Sequence, residues 1–292
     1  MRVELLYPIV STSVWGIAIV GAKIVGNAGF NPVEITFGRF FLATLIFIPL
    51  LFFLNFNRND IMPKNRYSWL MIFGLSLSGV AVNNSIFYFG LSKTTASMAS
   101  MIVSLNPIMT MLFAVLFLNE KFSTKKIISV ILGIIGISIV IGFDGNFGQI
   151  QGNLLILIAV TIWGSSFTFS KKASENGLSA IAITGWSEII GTIFLSPSIF
   201  IFNTFEKIEL LNGEILNWFI FLGVLSSVIA YIIHYQAISI YGASKVAPSV
   251  NIIPISGVIT AYFILGENIS LSLFLGGLIV IIGVFLVQFE KQ

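Results

Sequence analysis

Two charged side chains interrupt long apolar runs of this sequence and are the first candidates for chemistry. Arg39 lies in the run at about 33–54 and Glu188 in the run at about 180–202. A charge in such surroundings is costly to bury, so each is a candidate for a functional site. For Arg39 we favour a structural role, in which the guanidinium anchors its helix to neighbouring carbonyl groups. Glu188 is a candidate for coupling or gating. We expect no direct ion pair between the two, because they lie at different depths.

Other residues that could carry catalysis are scarce. His234 is the only histidine. It could titrate near neutral pH, which makes it a second coupling candidate, although a lone histidine is more often a hydrogen-bonded side chain. There is no cysteine, which excludes disulfides, thiol catalysis and Cys-ligated metal. No nucleophile–base set, paired acids or histidine-rich cluster is visible, so we predict no enzyme, no metal site and no cofactor.

Uncharged polar and aromatic residues also lie within the apolar runs. At membrane depth such groups face protein or a wet cavity, because lipid leaves them unsatisfied. Hydrogen bonding between helices is the alternative to a ligand site. Amides, hydroxyls and aromatic rings together could hold a zwitterion without full counter-charges. The predicted substrate-binding residues are Trp15, Asn83, Asn84, Tyr88, Ser104, Asn106, Trp163, Ser166, Tyr235 and Asn251. The predicted gating or coupling residues are Glu188, His234, Pro107 and Pro254, of which the prolines can kink their helices.

The composition places these residues in a membrane. The hydrophobic fraction is 57%, the charged fraction is 9% and the mean hydropathy is +1.00. A soluble domain carries about 25% charged residues. The apolar runs reach the membrane-spanning length of roughly 20 residues and lack the alternation of a barrel strand. We therefore predict an all-α integral membrane protein. Its partners are the lipid bilayer and a small-molecule substrate, with no nucleic acid, and we expect a monomer.

Ten helices are predicted, with limits uncertain by about 2–4 residues. They lie at about 5–25, 33–54, 67–90, 95–117, 125–142, 151–171, 180–202, 216–237, 244–265 and 271–288. If both termini are cytoplasmic, eleven basic residues lie inside and three outside, as the positive-inside rule requires. The inner set is Arg2, Arg58, Lys64, Arg66, Lys121, Lys125, Lys126, Lys171, Lys172, Lys245 and Lys291, and the outer set is Lys23, Lys93 and Lys207. We predict a multi-pass protein of the cell (plasma or inner) membrane.

The two halves of the sequence resemble each other. The pairs Trp15 with Trp163, and Lys23 with Lys171, are separated by 148 residues, and the pairs Pro107 with Pro254, and Glu120 with Glu267, by 147. Five helices per half is an odd number, so the second copy enters the membrane inverted. We predict a first repeat at 1–146 and an inverted repeat at 147–292, with a midplane cavity and alternating access. Glu120 and Glu267 end helices 4 and 9, and we expect each to cap the next helix.

Three features together resemble the EamA branch of the drug/metabolite transporter superfamily. They are the Trp-Gly pairs at 15–16 and 163–164, the segment PVEITFGRFFLA at 32–43, and the Pro-to-Glu spacing at 107–120 and 254–267. The resemblance covers nearly the whole chain. It implies a ten-helix inverted repeat, a central cavity lined mainly by helices 1, 3, 4, 6, 8 and 9, and export of metabolites, amino acids prominent among them. The arginine feature is not doubled, since Ser187 stands opposite Arg39.

Rival functions require residues that are not found. A carrier of sugar phosphates or nucleotide sugars would use several deep Lys or Arg, whereas only Arg39 is deep and Lys93 lies near a helix end. A channel filter would show a Gly-rich carbonyl run, and ATP-driven transport a Gly-rich phosphate loop. We therefore predict a secondary-active exporter of small metabolites, with amino acids as the expected cargo and sugar phosphates or other metabolites as the alternative.

The topology can be tested by cysteine labelling, since the natural chain has no cysteine. With both termini inside, a cysteine at Asn59 should react only with a reagent on the cytoplasmic side, and one at Gly145 only with an impermeant reagent outside. Labelling of Asn59→Cys from outside, or of Gly145→Cys from the cytoplasm, would contradict this orientation.

Overall fold

The computed structural model describes residues 6–55, 59–118, 124–142, 147–202, 207, 209–241 and 247–288. Several positions used in the sequence predictions lie outside the described residues, namely Arg2, Arg58, Glu120, Lys121, Gly145, Lys245 and Lys291.

All secondary structure in these described ranges is helical. Consecutive segments are labelled together in chain order: α1 Leu6–Asn27, α2 Pro32–Asn55, α3 Arg66–Ser92, α4 Ala96–Val103 with Asn106–Leu118, α5 Thr124–Gly142, α6 Phe147–Glu175, α7 Ala180–Leu195 with Ser198–Ile201, α8 Gly213–Ile220 continued to Tyr241, α9 Ala247–Asn251 with Ile252–Thr260 and Ala261–Leu265, and α10 Leu271–Gln288. Within the described residues, seven of them (α1–α4 and α6–α8) are long and apolar enough to cross a membrane, and α5, α9 and α10 contain shorter apolar helices. The chain is a multi-pass membrane protein.

Side-chain caps start several of these helices. At α2, Asn31 Oδ1 accepts from the N–H groups of Val33 and Glu34, while Glu34 Oε2 accepts from the N–H of Asn31. This reciprocal arrangement satisfies donors that the first turn leaves free. Single caps start further helices, at Asn65, Thr95, Ser179, Asn212 and Ser270. Polar residues therefore lie at the helix ends, where the apolar runs stop.

Glycines allow the closest helix contacts. A Cβ at Gly16 would lie 2.6 Å from the carbonyl oxygen of Ile253 in α9. A Cβ at Gly164 would lie 2.7 Å from the Cβ of Met109 in α4. Small residues of this kind let helix backbones approach within a membrane, where packing rather than the hydrophobic effect holds helices together. The two Trp-Gly pairs therefore fix α1 against α9 and α6 against α4.

Two helices are interrupted near their prolines. In α4 the regular helix stops at Val103 and resumes at Asn106, directly before Pro107. In α9 a 3₁₀ turn over Ala247–Asn251 precedes the helix that contains Pro254. Proline lacks the N–H that would continue the hydrogen-bond ladder, which accounts for a break at these positions.

Glu267 caps a different helix from the one predicted. Its two carboxylate oxygens accept from the N–H groups of Ala96 and Ser97, at 2.8 Å each, at the start of α4. The next helix in sequence, α10, is capped by Ser270, which accepts from the N–H of Leu273. The prediction of a capping role was right and its partner was wrong. Gly266, in the left-handed region at φ 66°, reverses the chain between α9 and Glu267.

The contact between α2 and α7 gives a test of this packing. Thr44 and Thr192 lie with their Oγ1 atoms 2.9 Å apart, so sulfur atoms in these places come within reach of a disulfide. The double variant Thr44→Cys, Thr192→Cys should cross-link under mild oxidation, as thiol alkylation and mass spectrometry would detect. Thr44→Cys with Phe194→Cys, on the exposed side of α7, is the matched control. Equal cross-linking of both pairs would contradict the packing.

Candidate functional site

A central cavity of about 70 Å³ lies between the helices. Each of the six helices that the family resemblance implied contributes to its wall, and α2 adds Arg39. The lining residues are Trp15, Ala18, Ile19, Arg39, Asn83, Asn84, Phe87, Tyr88, Val103, Val160, Trp163, Ser226, Tyr231 and Ile253. Five of the ten predicted substrate-binding residues are therefore brought together at one place: Trp15, Asn83, Asn84, Tyr88 and Trp163.

Arg39 is the charged group of this cavity. It is buried, and its guanidinium donates to three hydroxyl oxygens: Nε to Ser227 Oγ at 2.6 Å, Nη1 to Tyr88 Oη at 2.8 Å and Nη2 to Ser226 Oγ at 3.1 Å. It also lies over the ring of Phe40, 5.0 Å from its centre. A guanidinium has five N–H donors, so one donor on each Nη nitrogen is without a partner among the described residues. Arg39 is anchored by hydroxyl groups and not by the carbonyl groups that we expected, and it also lines the cavity.

The hydroxyls that hold Arg39 come from an irregular stretch of α8. Residues Phe221–Ile229 form a π-helical segment, a feature frequent at functional sites. Ser227 Oγ donates to the carbonyl oxygen of Leu222, five residues earlier, at 2.9 Å. The Ser227 hydroxyl therefore satisfies a backbone group of the segment while it accepts from Arg39, as low-dielectric surroundings require.

A second π-helical segment, Ser76–Ala81 in α3, lies beside the two asparagines. Asn84 Nδ2 donates to the carbonyl oxygens of Gly79 and Val80, at 3.0 Å each, and to Asn83 Oδ1 at 2.6 Å. Asn84 Oδ1 and Asn83 Nδ2 have no hydrogen-bond partner among the described residues. The cavity wall on α3 therefore offers one amide acceptor and one amide donor to a ligand.

Aromatic rings line another part of the cavity wall. The rings of Trp15 and Trp163 lie edge to face with centres 6.0 Å apart, and the ring of Tyr231 lies 4.7 Å from that of Trp15. Trp15 Nε1 donates to the carbonyl oxygen of Ser226 at 3.0 Å, which fixes the indole. Such a wall suits an apolar group or a cation, because aromatic faces attract both.

A second cavity of about 90 Å³ lies toward the C-terminal end of α1 and shares Tyr88 with the first. Lys23 lines it, and its Nζ donates to the carbonyl oxygens of Leu91 and Thr94 at 2.8 and 2.7 Å. These bonds tie α1 to the end of α3. Tyr88 therefore lies between the two cavities, and Lys23 lines the second cavity only.

The two titratable residues that were predicted to act in coupling are buried and do not line the central cavity. Glu188 has 2% exposed surface, and its Oε2 has no hydrogen-bond partner among the described residues. In the same part of the chain it forms no ion pair, but it lies in electrostatic range of Arg39. His234 lies 4.8 Å from the ring of Trp15, and its Nδ1 is 3.1 Å from Ser11 Oγ. His234 is therefore a hydrogen-bonded buried side chain.

The other predicted ligand residues do not line the cavity in this conformation. Ser104 and Ser166 donate to carbonyl oxygens in their own helices. Tyr235 stacks near Tyr231, with ring centres 5.9 Å apart. Asn106 and Asn251 are buried at the interruptions of α4 and α9. The described residues provide no hydrogen-bond partner for the Nδ2 of Asn106 or for either amide atom of Asn251.

Sequence reasoning missed Ser226 and Tyr231. Tyr231 precedes His234 and Tyr235 by three and four residues, so one helix face carries all three. That spacing could have identified it. Ser226 gave no comparable signal, because its placement depends on the π-helical turn. Among the described residues no group of three His, Asp or Glu comes together that could hold a metal.

Comparison with known proteins agrees with this architecture. The chain is 26% identical over 287 residues to the uncharacterized transporter YyaM of Bacillus subtilis, covering 92% of this chain and 91% of that protein. It is 26% identical to an uncharacterized transporter of Archaeoglobus fulgidus, covering 96% and 95%. A solved crystal structure shares the fold, with a TM-score of 0.67, 13% identity and coverage of 97% and 96%.

The family assignment follows from a match in each half of the chain. The profile of the EamA-like transporter family matches residues 2–142 and again residues 150–289. Together these matches span nearly all of the helices described above, including every helix that lines the cavity. The chain belongs to the EamA-like transporter family and is a membrane transporter.

Proposed function

We propose that this transporter is a secondary-active exporter of amino acids with apolar or aromatic side chains, which it binds in the central cavity. The observation that carries the proposal is Arg39, which lines a cavity with amide groups and aromatic rings and keeps one donor on each Nη nitrogen without a partner among the described residues. A pair of donors on one guanidinium matches the two oxygens of a carboxylate.

The rest of the cavity suits the other parts of an amino acid. Asn84 Oδ1 can accept from an α-ammonium group, and the faces of Trp15, Trp163 and Tyr231 favour a cation or an apolar side chain. Among the described residues the cavity offers a single cation, Arg39, whereas a carrier of sugar phosphates or nucleotide sugars would use several, so this alternative is disfavoured.

Internal symmetry supports alternating access. In an inverted repeat, residues on the pseudo-twofold axis contact their own counterparts. Trp15 contacts Trp163, and Thr44 contacts Thr192, and the members of each pair are 148 residues apart. The two family matches divide the chain similarly, in agreement with repeats at 1–146 and 147–292. We therefore propose ten spans in two inverted five-helix repeats that rock about the cavity.

The proposal also includes the orientation of the protein in the membrane and the hinges that allow its helices to move. The loop charges favour a cell membrane location with both termini in the cytoplasm. The interruptions before Pro107 and Pro254 are the proposed hinges. Ser104, Asn106 and Asn251 lie at those interruptions, and they would contact a ligand only in another conformation. Their role in binding, and that of Ser166 and Tyr235, stays a prediction.

The proposal predicts a selective effect of cavity mutations on efflux. Losing one hydrogen bond costs about 0.5–1.5 kcal/mol, and up to about 3 when the partner is charged. Asn84→Ala should therefore weaken transport of L-phenylalanine roughly 2- to 100-fold. The measurement is efflux of labelled L-phenylalanine from vesicles at equal density of folded protein.

Ser138→Ala and Ser272→Ala in α5 and α10 are the matched controls, since neither residue lines the central cavity. Both should transport within about twofold of the natural protein. Equal losses in Asn84→Ala and the controls would contradict the assignment of the cavity, and absence of amino-acid efflux in the natural protein would contradict the substrate class.

A further inference from the structure

Glu188 is a buried carboxyl group that the proposed binding site does not use. It has 2% exposed surface, and its Oε2 oxygen has no hydrogen-bond partner in the part of the chain that the structure describes. An ionised carboxylate in such surroundings costs several kcal/mol unless an opposite charge compensates it. The group therefore depends either on a nearby cation or on a bound proton.

Arg39 is the nearby cation, and it has two roles: its charge can compensate Glu188, and its N–H donors take part in the cavity. Its helix α2 packs against α7 at Glu188, where Thr44 Oγ1 donates to the Glu188 carbonyl oxygen at 3.5 Å, but the hydrogen bonds of Arg39 go to Tyr88, Ser226 and Ser227. The elements packed against α7 bring three charged or titratable groups into electrostatic range of Glu188: Arg39 of α2, and Tyr231 and Tyr235 of α8. Only one of the three is a cation.

We infer that Glu188 is a proton-binding site coupled to the ligand site, so that the carboxyl takes up a proton when a ligand carboxylate occupies Arg39. The inference rests on the proposed function, since it needs a carboxylate ligand. One guanidinium cannot compensate two anions in a low-dielectric interior. The ligand's carboxylate takes the free donors of Arg39, and a proton removes the competing charge of Glu188. In this arrangement the ammonium group of the ligand lies against Asn84 on α3, farther from α7 than the carboxylate, so it offsets the effect only in part.

Because ligand binding favours protonation of Glu188, the proton and the substrate are carried in the same direction. Binding is reciprocal: if the ligand favours the protonated carboxyl, protonation favours the ligand by the same factor. An amino acid that leaves the cell down its own gradient would then carry a proton outward. His234 is the rival titratable group, because its ring contacts Trp15 at the cavity wall.

The test is isothermal titration calorimetry of L-phenylalanine with the purified full chain between pH 5 and pH 8, in buffers of different ionisation enthalpy. The natural protein should take up as much as about one proton per ligand, and its affinity should fall by up to about tenfold per pH unit as Glu188 ionises. Glu188→Gln mimics the neutral acid. It should bind with little change across this range, and its residual proton exchange measures the ligand's own titration.

Two further variants make the outcome decisive. Glu188→Asp should restore the pH dependence, and His234→Gln should keep it. An unchanged pH dependence in Glu188→Gln, or its loss in His234→Gln alone, would overturn the coupling while leaving the ligand site intact. Failure of the natural protein to bind L-phenylalanine at any pH would contradict the proposed function, and the inference with it.

Discussion

The buried guanidinium of Arg39 is the constraint on which the rest of the site depends. A charge at this depth is stable only with hydrogen bonds that replace water. Those bonds come from Tyr88 in α3 and from Ser226 and Ser227 in α8. Arg39 itself belongs to α2, so three helices from both halves of the chain are fixed relative to one another by a single side chain.

The same guanidinium is held by an irregular helix segment. Ser226 and Ser227 are successive residues of the π-helical stretch in α8, and both accept from Arg39. The π-helical segments in α8 and α3 have backbone groups that membrane lipid cannot satisfy. Ser227 and Asn84 donate to carbonyl oxygens in them. Polar residues of the cavity therefore both support the backbone and form part of the proposed binding surface.

Much of the architecture could be predicted from the sequence because apolar run length and repeat spacing are strong signals. The Trp-Gly pairs at 15–16 and 163–164 marked both halves, and their tryptophans meet in the structure. The depth of Arg39 was recognised but its contact with the cavity was not, since α2 was expected to be peripheral. Glu267 was expected to cap α10 and instead caps α4, because contacts between loops of different repeats leave no local pattern.

Within the site, the predicted residues Trp15, Asn83 and Trp163 line the cavity, and their role in binding stays a prediction. They were chosen because they are polar or aromatic residues on helices that the family resemblance places around the cavity. Helix assignment from apolar run length cannot locate a π-helical turn, so Ser226 was missed. Nor does it show that Asn106 and Asn251 lie at interruptions, away from the cavity wall. The direction of each polar side chain depends on the local backbone, which residue type alone does not reveal.

The central claim is that Arg39 binds the carboxylate of an amino acid, and the most direct measurement compares L-phenylalanine with L-phenylalaninamide in a thermal-shift titration. A ligand stabilises the folded protein by mass action. The natural protein should be stabilised by the acid and not by the amide. Arg39→Lys should fold but bind the acid roughly 10- to 100-fold more weakly, because an ammonium group cannot pair with two oxygens as a guanidinium does. Equal stabilisation by acid and amide, or unchanged affinity in Arg39→Lys, would contradict this account.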